Sequence, residues 1–438
     1  MLLSLDRLPL FPDTTVIQND SLSVAGHDLA TLAGRYGTPL YIYDRHTLDA
    51  AASRYQAALK AHYPAAAFVT YAGKAFMCKA MAQWAGQQGL QIDCTGASEI
   101  AVAIGARLEP ASIVAHGVNK SESDLDAATG RAGTIVVDNL SELRRIASRW
   151  AALKERSTTS IWLRLQPGTA VETHHAYTQT GQAGSKFGMT PEEIAEAARF
   201  ARASGLPLNG LHFHQGSNFR DPAPLLEAIG RAIRLAGEIG MPEAWHFCPG
   251  GGWGVAYHED ELPHPAIEEY VRLIAREVSK RCRQVGLPLP TLHLEPGRSL
   301  VARAGVALYR VGAVKRRKNR PWLLVDGGMA DNPRRALYGA RYSCLPVKGL
   351  GREMTDTVSI AGPFCESGDV LIEDLPLPHI EEGELLAVPM SGAYHLSMAS
   401  NYNGASRPAA LWLETGRARL ILRRETSEEL THRQLSIQ

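Results

Sequence analysis

The 438-residue sequence has little net charge, few cysteines and no long apolar run. Its 46 lysines and arginines nearly balance 45 aspartates and glutamates, which leaves a formal net charge of +1. A protein that binds nucleic acid or an anionic membrane needs a basic face, so this balance argues against both partners. A membrane-spanning helix needs roughly 18 uninterrupted apolar residues, and no stretch approaches that length.

The six cysteines are scattered along the chain without a C-x-x-C motif. A disulfide framework or a zinc site would need paired spacing, so we expect reduced thiols and no metal site. The chain starts with MLLSLDRLPLFPD, a short apolar run that Asp6, Arg7 and Pro9 interrupt. This start lacks the basic region and the long apolar core of a signal peptide, and we therefore expect a cytoplasmic protein.

The chain is long enough for two domains, and from about residue 36 to 300 it alternates between two patterns. Short apolar runs predict strands, and the segments between them repeat apolar residues every three or four positions, as helices do. The predicted strands are PLYIYD, AAFVTYAG, LQIDCTG, SIVAHG, GTIVVDN, SIWLRLQP, LNGLHFHQG and HFCPGGG. An open doubly wound sheet shows the same alternation, but eight units favour a closed, TIM-like (β/α)8 barrel.

After about residue 300 the chain consists of apolar runs separated by turn residues, with little helical periodicity. These runs predict a second, mostly antiparallel β-domain. A predicted strand pair near the N-terminus, VIQNDSLSVAG, is expected to contribute to it. The predicted organisation is an N-terminal segment 1–35 that joins the β-domain, a barrel 36–300 and the β-domain 301–438, which ends in a short polar helix.

Reactive side chains follow several predicted strands, which is where (β/α)8 barrels carry their functional groups. Lys74 comes directly after AFVTYAG. A lysine in such a place is often only a surface residue, but a partly buried one can act as an amine nucleophile. His212 and His214 end another strand and point the same way because strand side chains alternate. They could be metal ligands, buried core residues, or a ring stacked on a planar cofactor.

Two further motifs suit anion and ring binding. Gly250–Gly252 follow the strand WHFCP, and a glycine run lets backbone N–H groups approach a phosphate, although it can also be a permissive turn. Ser217 lies in a turn where its hydroxyl could join them. Glu295 and Arg298 belong to EPGR. They could form a structural ion pair, or the carboxylate could face a pyridine nitrogen and keep it protonated.

These motifs, in this order, resemble the fold-type III pyridoxal-phosphate decarboxylases and, within them, the diaminopimelate decarboxylases. The resemblance runs over about 330 residues through YAGKA, HFHQGS, GGGWG, EPGR, DGGMADNPRRALYGARY, GPFCESGD and SGAYHLSMASNYN. It implies an alanine-racemase-like (β/α)8 barrel with a second β-domain. It also implies pyridoxal 5'-phosphate as cofactor and, in lysine biosynthesis, the decarboxylation of meso-2,6-diaminopimelate to L-lysine and carbon dioxide.

The resemblance also implies roles for single residues. Lys74 would hold the cofactor, His214 would stack on its ring, and Cys365 would protonate the alpha carbon. The cofactor-binding set would be Lys74, His214, Ser217, Gly251, Gly252, Glu295, Gly297, Arg298 and Tyr394. The substrate-binding set would be Arg298, Arg334, Tyr338, Glu366 and Tyr394. In this family Cys365 and Glu366 would reach the cofactor of the second subunit, which implies a homodimer with shared active sites.

Three departures from the family pattern leave alternatives open. Phe76 replaces an asparagine, Asp93 and Glu99 resemble ornithine-decarboxylase-like sequences, and Arg335 replaces a proline and adds a cation to the substrate segment. The exact substrate could thus be ornithine, lysine, a carboxylated polyamine or a carrier-linked or siderophore intermediate. A racemase of the same barrel class, or a non-catalytic cofactor-binding regulatory homologue, is the other alternative. The Cys-Glu pair of PFCESGD favours decarboxylation over racemisation.

Some polar residues near these motifs have no assigned chemistry. His116 and Lys120, in AHGVNKS, are expected close to the site without a direct role. His174, His175 and Lys186 either line the mouth of the barrel or are simply solvated.

Overall fold

The computed structural model describes residues 6–152, 159–168, 181–182, 184–317 and 320–437. His174 and His175 lie outside these ranges. The chain divides into two compact units: a barrel unit, with the described residues of 52–254 and 265–299, and a sheet unit, with those of 1–51, 255–264 and 300–438.

The strands are numbered β1 to β20 in chain order. They are β1 Val16–Gln18, β2 Ser21–Val24, β3 His27–Asp28, β4 Leu40–Asp44, β5 Ala67–Ala72, β6 Gln91–Thr95, β7 Ile113–His116, β8 Thr134–Val137, β9 Ser160–Arg164, β10 Leu208–His212, β11 His246–Cys248, β12 Thr291–Leu294, β13 Gly305–Lys315, β14 Trp322–Val325, β15 Leu345–Pro346, β16 Asp356–Ala361, β17 Val370–Leu377, β18 Leu385–Val388, β19 Ala409–Glu414 and β20 Arg417–Leu422.

The α-helices follow the predicted alternation with the strands as far as residue 301. They are Leu29–Tyr36, Arg45–His62, Lys79–Gln87, Ala97–Gly105, Glu122–Arg131, Leu140–Ala152, Pro191–Ala203, Ala223–Glu238, Ile267–Val285 and Arg298–Val301, and then Arg334–Tyr338 and Ser427–Thr431. The last of these confirms the short polar helix predicted near the C-terminus.

Strands β5 to β12 form a closed, all-parallel barrel, which confirms the predicted (β/α)8 class. The membership differs from the prediction by one strand. PLYIYD, predicted in the barrel, is β4, which pairs with β13 and β19 in the sheet unit. The eighth barrel strand is β12, from TLHLEP. All five residues of β4 are buried, so its continuous apolar pattern is the same as that of a barrel strand.

The first boundary of the units differs from the predicted 36, whereas the second lies within one residue of the predicted 300. The described residues as far as 51, and the segment 255–264, belong to the sheet unit. The physical reason is the pairing of β4, because backbone hydrogen bonds place residues 40–44 in the sheet and keep the preceding segment with them.

The sheet unit is built on a mostly antiparallel sheet in the order β17-β16-β14-β13-β4-β19-β20, with β18 attached at β13 and β15 attached at β18. Two of its pairs, β14 with β16 and β4 with β19, are parallel. Strands β1 to β3 form a small separate sheet. The unit's apolar core joins the two sheets, and its buried members include Leu22, Val24, Ile42, Val306 and Leu411.

Two general features of the described chain bear on its environment. None of the described helices is long and apolar enough to cross a membrane. All six cysteines are free, and five of them are buried, whereas Cys365 is exposed.

Candidate active site

The carboxyl ends of the barrel strands converge on one mouth, because all eight strands are parallel. Lys74 lies in a short 3-10 turn, Gly73–Ala75, directly after β5. Asp93 lies in β6, His116 and His212 end β7 and β10, and Glu295 follows β12. Polar groups that are far apart in sequence therefore meet at this mouth.

Glu295 is buried and bonded by two imidazoles. His116 Nε2 lies 3.1 Å from Glu295 Oε1, and His212 Nε2 lies 3.0 Å from Oε2. Burial alone would raise the pKa of Glu295, but the contacts with His212 and His116 hold that pKa well below its usual range. Burial lowers the pKa of His212 to about 4, so this ring is neutral at pH 7 and donates its Nε2–H to the carboxylate. Glu295 is thus a buried, ionised acceptor.

His116, His212 and Glu295 are also a donor set that a metal ion can use, since their ligand atoms lie within 4.8 Å of one another. The sequence leaves another pair, His212 and His214, open as metal ligands, although the prediction is that the chain has no metal site. In the structure His212 bonds to Glu295, and the two Nε2 atoms face carboxylate oxygens at hydrogen-bond distance. This arrangement suits a carboxylate kept charged for a ring nitrogen.

Two acidic groups lie close enough to the exposed side chain of Lys74 to feel its charge. Burial raises the pKa of Asp93, although His116 and Lys74 oppose the shift. Burial also raises the pKa of Glu99 to about 7, although the backbone N–H of Thr95 donates to its carboxylate over 2.6 Å and Lys74 is near. Asp93 and Glu99 are therefore the acidic side chains at the barrel mouth whose pKa Lys74 influences.

His214 and the three glycines pack against each other. The N–H of Gly251 donates to His214 Nδ1 over 3.3 Å, so the proton of a neutral ring is on Nε2. Burial, together with the charges of Lys74 and Arg164, lowers the pKa of His214 well below its usual value. The ring is therefore neutral, as a stacking partner for a planar group should be.

Gly250–Gly252 leave no room for side chains. A Cβ at Gly250 would lie 2.7 Å from His214 Nδ1, and one at Gly251 would lie 1.9 Å from the Glu295 carbonyl oxygen. At Gly252 the φ is +102°, and a Cβ would lie 1.9 Å from the carbonyl oxygen of Gly216. Glycine is thus required here by the close approach of the chain after β10 and β12, and the bare backbone is accessible to an anion.

Ser217 and Arg298 meet at the same mouth. Arg298 Nη2 donates to Ser217 Oγ over 2.9 Å, which brings a buried guanidinium to the predicted phosphate segment. Gly297, also predicted to bind the cofactor, packs closely on the chain around Lys74, because its Cβ would lie 3.1 Å from the Cβ atoms of Ala72 and Ala75.

In the sheet unit, Arg334 is 1% exposed. Its Nη1 donates to the Tyr342 hydroxyl over 2.5 Å, and its guanidinium carbon lies 4.4 Å from the centre of the Tyr257 ring. Among the described residues, no carboxylate oxygen lies within 4.0 Å of this guanidinium. Burial lowers the pKa of Arg334, but Tyr257 and Tyr342 more than offset this effect, so the group is charged. A buried cation without an internal anion suits an anionic ligand.

Arg335 and Tyr338 lie on the same short helix, Arg334–Tyr338. Arg335 Nη2 forms an ion pair with Glu373 Oε2. The additional cation that departs from the family pattern is therefore neutralised within the chain. Tyr338, at the end of the helix, is half-buried.

Cys365 and Glu366 are exposed on the loop between β16 and β17. Asp369 holds this loop, because its carboxylate accepts the N–H groups of Met329 and Phe364 over 2.7 and 2.8 Å. Tyr394 is half-buried and adopts a left-handed conformation with a φ of +61°.

Sequence reasoning missed several of these contacts. His116 was expected near the site without a direct role, yet it bonds Glu295. Lys120 is a structural residue, with its Nζ 2.7 Å from the buried Glu142 carboxylate. No sequence pattern marked Arg164, Tyr257 or Tyr342 as functional. A strand-end arginine or a buried tyrosine has the same local sequence pattern as a residue that only packs. Lys186 is exposed and lies over the Phe187 ring.

Comparison with known proteins adds the family. The profile of the pyridoxal-dependent decarboxylases, for their pyridoxal binding domain, matches residues 47–302. The chain belongs to this family. Diaminopimelate decarboxylases from Synechocystis sp. and Bacillus subtilis are each 39% identical to this decarboxylase. The alignments cover 96% of this chain and 92% of the Synechocystis protein, and 94% and 95% for Bacillus subtilis.

Solved structures agree with this assignment. The decarboxylase superposes with a TM-score of 0.89 on a crystal structure of diaminopimelate decarboxylase from M. jannaschii in co-complex with L-lysine. That pair is 30% identical, and the match covers 97% of this chain and 98% of the other. A lysine/ornithine decarboxylase from Vibrio vulnificus has a TM-score of 0.72, covers 88% of this chain and 97% of its own, and at 22% identity shares the fold alone.

The residues of the barrel mouth fit pyridoxal phosphate, the cofactor of this decarboxylase family. The ionised carboxylate of Glu295 suits a pyridinium nitrogen, and the neutral ring of His214 suits the face of a planar group. Gly250–Gly252 present backbone where side chains would not fit. These are three independent properties of the chain that match three parts of the cofactor.

Proposed function

We propose that this decarboxylase converts meso-2,6-diaminopimelate to L-lysine and carbon dioxide. The observation that carries the proposal is Arg334, a buried and charged guanidinium that has no carboxylate within 4.0 Å among the described residues. Diaminopimelate has a second carboxylate far from the reacting carbon, whereas ornithine and lysine do not. The curated relatives at 39% identity are diaminopimelate decarboxylases, which supports the same substrate.

Lys74 is proposed as the residue that holds the cofactor covalently. When bound, pyridoxal phosphate supplies an electron sink for the charge that the alpha carbon gains as carbon dioxide leaves. Glu295 supports that sink by keeping a proton on the ring nitrogen, since an ionised carboxylate favours a protonated partner. His214 positions the ring by stacking on it.

The phosphate is proposed to contact Ser217, Gly251, Gly252 and the Tyr394 hydroxyl. The bond from Arg298 to Ser217 supports this assignment, because it adds a positive charge beside the serine. Arg298 was also predicted to bind the distal carboxylate of the substrate. Because Arg298 bonds to Ser217, we favour the role of Arg298 in binding the phosphate.

The remaining substrate contacts are proposed as follows. Arg334 and Tyr338 bind the distal carboxylate, and Glu366 receives the distal ammonium. Cys365 donates the proton that the alpha carbon takes up, and a thiol suits this role because its ordinary pKa of about 8.5 lies near working pH. We infer a homodimer in which Cys365 and Glu366 serve the site of the partner subunit, and their exposure supports it. The free cysteines support a reducing, cytoplasmic location.

The test is carbon dioxide release by the purified, cofactor-loaded enzyme given meso-diaminopimelate, with ornithine and lysine in parallel. Release from diaminopimelate with L-lysine as product is expected, and Arg334→Met should raise the KM for diaminopimelate about a hundredfold. Release from ornithine or lysine alone would assign another substrate. No release from any of them would favour a carrier-linked substrate, a carboxylated polyamine or a non-catalytic homologue.

A further inference from the structure

A chain of buried hydrogen bonds runs through the sheet unit from Arg334 to Asp331. Arg334 Nη1 lies 2.5 Å from the Tyr342 hydroxyl, which lies 2.8 Å from His395 Nε2. His395 Nδ1 makes a longer contact of 3.5 Å with the Tyr41 hydroxyl, which donates to Asp331 Oδ2 over 2.8 Å. All five side chains are at most 4% exposed. The chain thus links a buried cation to a buried carboxyl.

The protons along this chain can all point the same way. A guanidinium can only donate, so the Tyr342 oxygen accepts from Arg334 and its own proton is available to His395 Nε2. A neutral His395 then carries its proton on Nδ1, which faces Tyr41, and Tyr41 donates to Asp331. In this arrangement each of these bonds is polarised toward the carboxyl group.

Two further hydrogen bonds hold Asp331, the last residue of this hydrogen-bond network. Its carboxylate also accepts the Tyr309 hydroxyl over 2.6 Å and the Gly328 N–H over 2.8 Å. The segment that carries His395 is equally constrained, because a Cβ at Gly392 would lie 1.8 Å from the carbonyl oxygen of Val301. His395 also packs edge-on against the Tyr41 and Tyr342 rings, with centroids 5.9 and 5.3 Å away. The imidazole therefore offers Tyr342 a fixed acceptor.

We propose that Tyr342 and His395 are positioning residues, which hold the Arg334 guanidinium in the orientation that receives the distal carboxylate of the substrate. The inference rests on the proposed function, in which Arg334 takes that carboxylate. An arginine side chain has much rotamer freedom, and a buried arginine is usually oriented by a carboxylate partner. Such a partner would neutralise Arg334 and compete with the ligand. The neutral Tyr342 hydroxyl occupies only one of the five N–H donors of Arg334. The positive charge of Arg334 therefore remains available to the substrate.

The first test is Tyr342→Phe in the cofactor-loaded enzyme, because phenylalanine keeps the ring beside Arg334 and removes only the hydroxyl. We expect the KM for meso-diaminopimelate to rise about tenfold and kcat to change less than about twofold, the pattern of an interaction made equally in ground and transition states. Inhibition by L-lysine, which keeps the distal carboxylate, should weaken about tenfold as well. Inhibition by 1,5-diaminopentane, which lacks that carboxylate, should be unchanged.

The second test separates position from packing at residue 395. His395→Phe keeps a ring and removes both nitrogens, and it should reproduce the KM effect of Tyr342→Phe. His395→Gln offers an amide near the place of Nε2, and it should bring the KM back to within about threefold of the wild-type value. The matched control is Tyr63→Phe, which removes a tyrosine hydroxyl that donates to the Pro290 carbonyl oxygen over 2.7 Å in the barrel unit. This control should leave unchanged the KM, the kcat, and the inhibition by L-lysine and by 1,5-diaminopentane.

The outcomes are distinct. An unchanged KM in Tyr342→Phe, or equal weakening of L-lysine and 1,5-diaminopentane, would overturn the positioning role while the proposed function stands. If His395→Gln raises the KM as much as His395→Phe does, the Nε2 acceptor has no part in positioning Arg334. If the wild-type enzyme releases no carbon dioxide from meso-diaminopimelate, the proposed function fails, and the positioning role is withdrawn with it.

Discussion

At the scale of single residues, the barrel mouth keeps Glu295 ionised by surrounding its carboxylate with imidazole donors. Burial alone would raise the pKa of this carboxyl group, and the two Nε2 contacts at 3.0 and 3.1 Å reverse that tendency. His212 stays neutral because burial lowers its pKa to about 4, so it donates a proton without adding a charge. The carboxylate therefore stays ionised, as its proposed role beside the ring nitrogen requires.

The first prediction concerns His212→Leu, which removes one of these donors. The pKa of Glu295 should rise, since burial raises it and one opposing bond is lost. The affinity for pyridoxal phosphate should fall about tenfold, as measured by absorbance titration of the apoenzyme. His212→Gln, which can still present an N–H near Nε2, is the matched control and should retain most of the affinity. Equal affinity in wild type and His212→Leu would contradict the proposed dependence on this donor.

The second prediction concerns the pH dependence of stability and Glu99. Its pKa is raised to about 7 from an ordinary value of 4.5. A carboxyl with a raised folded pKa contributes stability that is fully present below pH 4.5 and is lost as pH rises through about 7. At about 1.4 kcal/mol per pH unit, the loss for this half-buried group is at most about 3.5 kcal/mol.

Glu99→Gln should remove this loss, because the amide does not ionise and still accepts the Thr95 N–H. Urea unfolding of both proteins at pH 5 and pH 8 measures the effect. The wild-type midpoint should fall more than that of the variant between these two values. Parallel changes in the two proteins would show that Glu99 does not titrate in this range.

At the scale of secondary-structure elements, the chain segments that follow β10, β11 and β12 approach each other so closely that only backbone fits between them. Gly251 lies against the Glu295 carbonyl oxygen, and Gly252 lies against that of Gly216. The glycine run therefore has a packing role as well as its proposed phosphate role. The segment Gly250–Gly252 therefore holds both Glu295 and His214 in place.

The third prediction is that Gly251→Ala destabilises the barrel and weakens cofactor binding. Its Cβ would lie 1.9 Å from a carbonyl oxygen, so the two loops must separate. We expect a loss of about 3 kcal/mol or more in the free energy of unfolding. The matched control is Gly130→Ala in the helix Glu122–Arg131, where a Cβ meets nothing within 4 Å, and it should be neutral or slightly stabilising. Similar stability in the two variants would contradict this account.

At the scale of the whole molecule, the proposed homodimer joins Lys74 of one subunit with Cys365 of the other in one active site. Lys74→Ala and Cys365→Ala should each be strongly impaired alone. After subunit exchange in an equal mixture, half of the dimers combine the two variants, and each has one intact site. About a quarter of wild-type activity should return.

This fourth prediction is measured as carbon dioxide release against total protein. A control mixture of Lys74→Ala with the double variant Lys74→Ala, Cys365→Ala should stay inactive. If the mixture of single variants recovers nothing, although mixed dimers form, Cys365 serves the site of its own subunit. Full activity in Cys365→Ala alone would show that Cys365 has no catalytic role.

The sequence by itself determined the fold class and the candidate residues at the barrel mouth. Strand and helix periods are local properties, and eight alternating units imply a barrel whose strand ends meet. Lys74 and His214 could be selected because they lie at the ends of predicted strands, and Glu295 because it belongs to a motif that resembles a known family. Their convergence at one mouth follows from the parallel order of the strands.

Only the tertiary structure decided which elements pair and which polar groups share a proton. β4 has the apolar pattern of a barrel strand, yet its partners are β13 and β19, more than 250 residues away along the chain. The bonds of His116 and His212 to Glu295, and of Arg334 to Tyr342, likewise depend on packing. Long-range pairing is set by the total burial and hydrogen bonding of the folded chain, which no local pattern encodes.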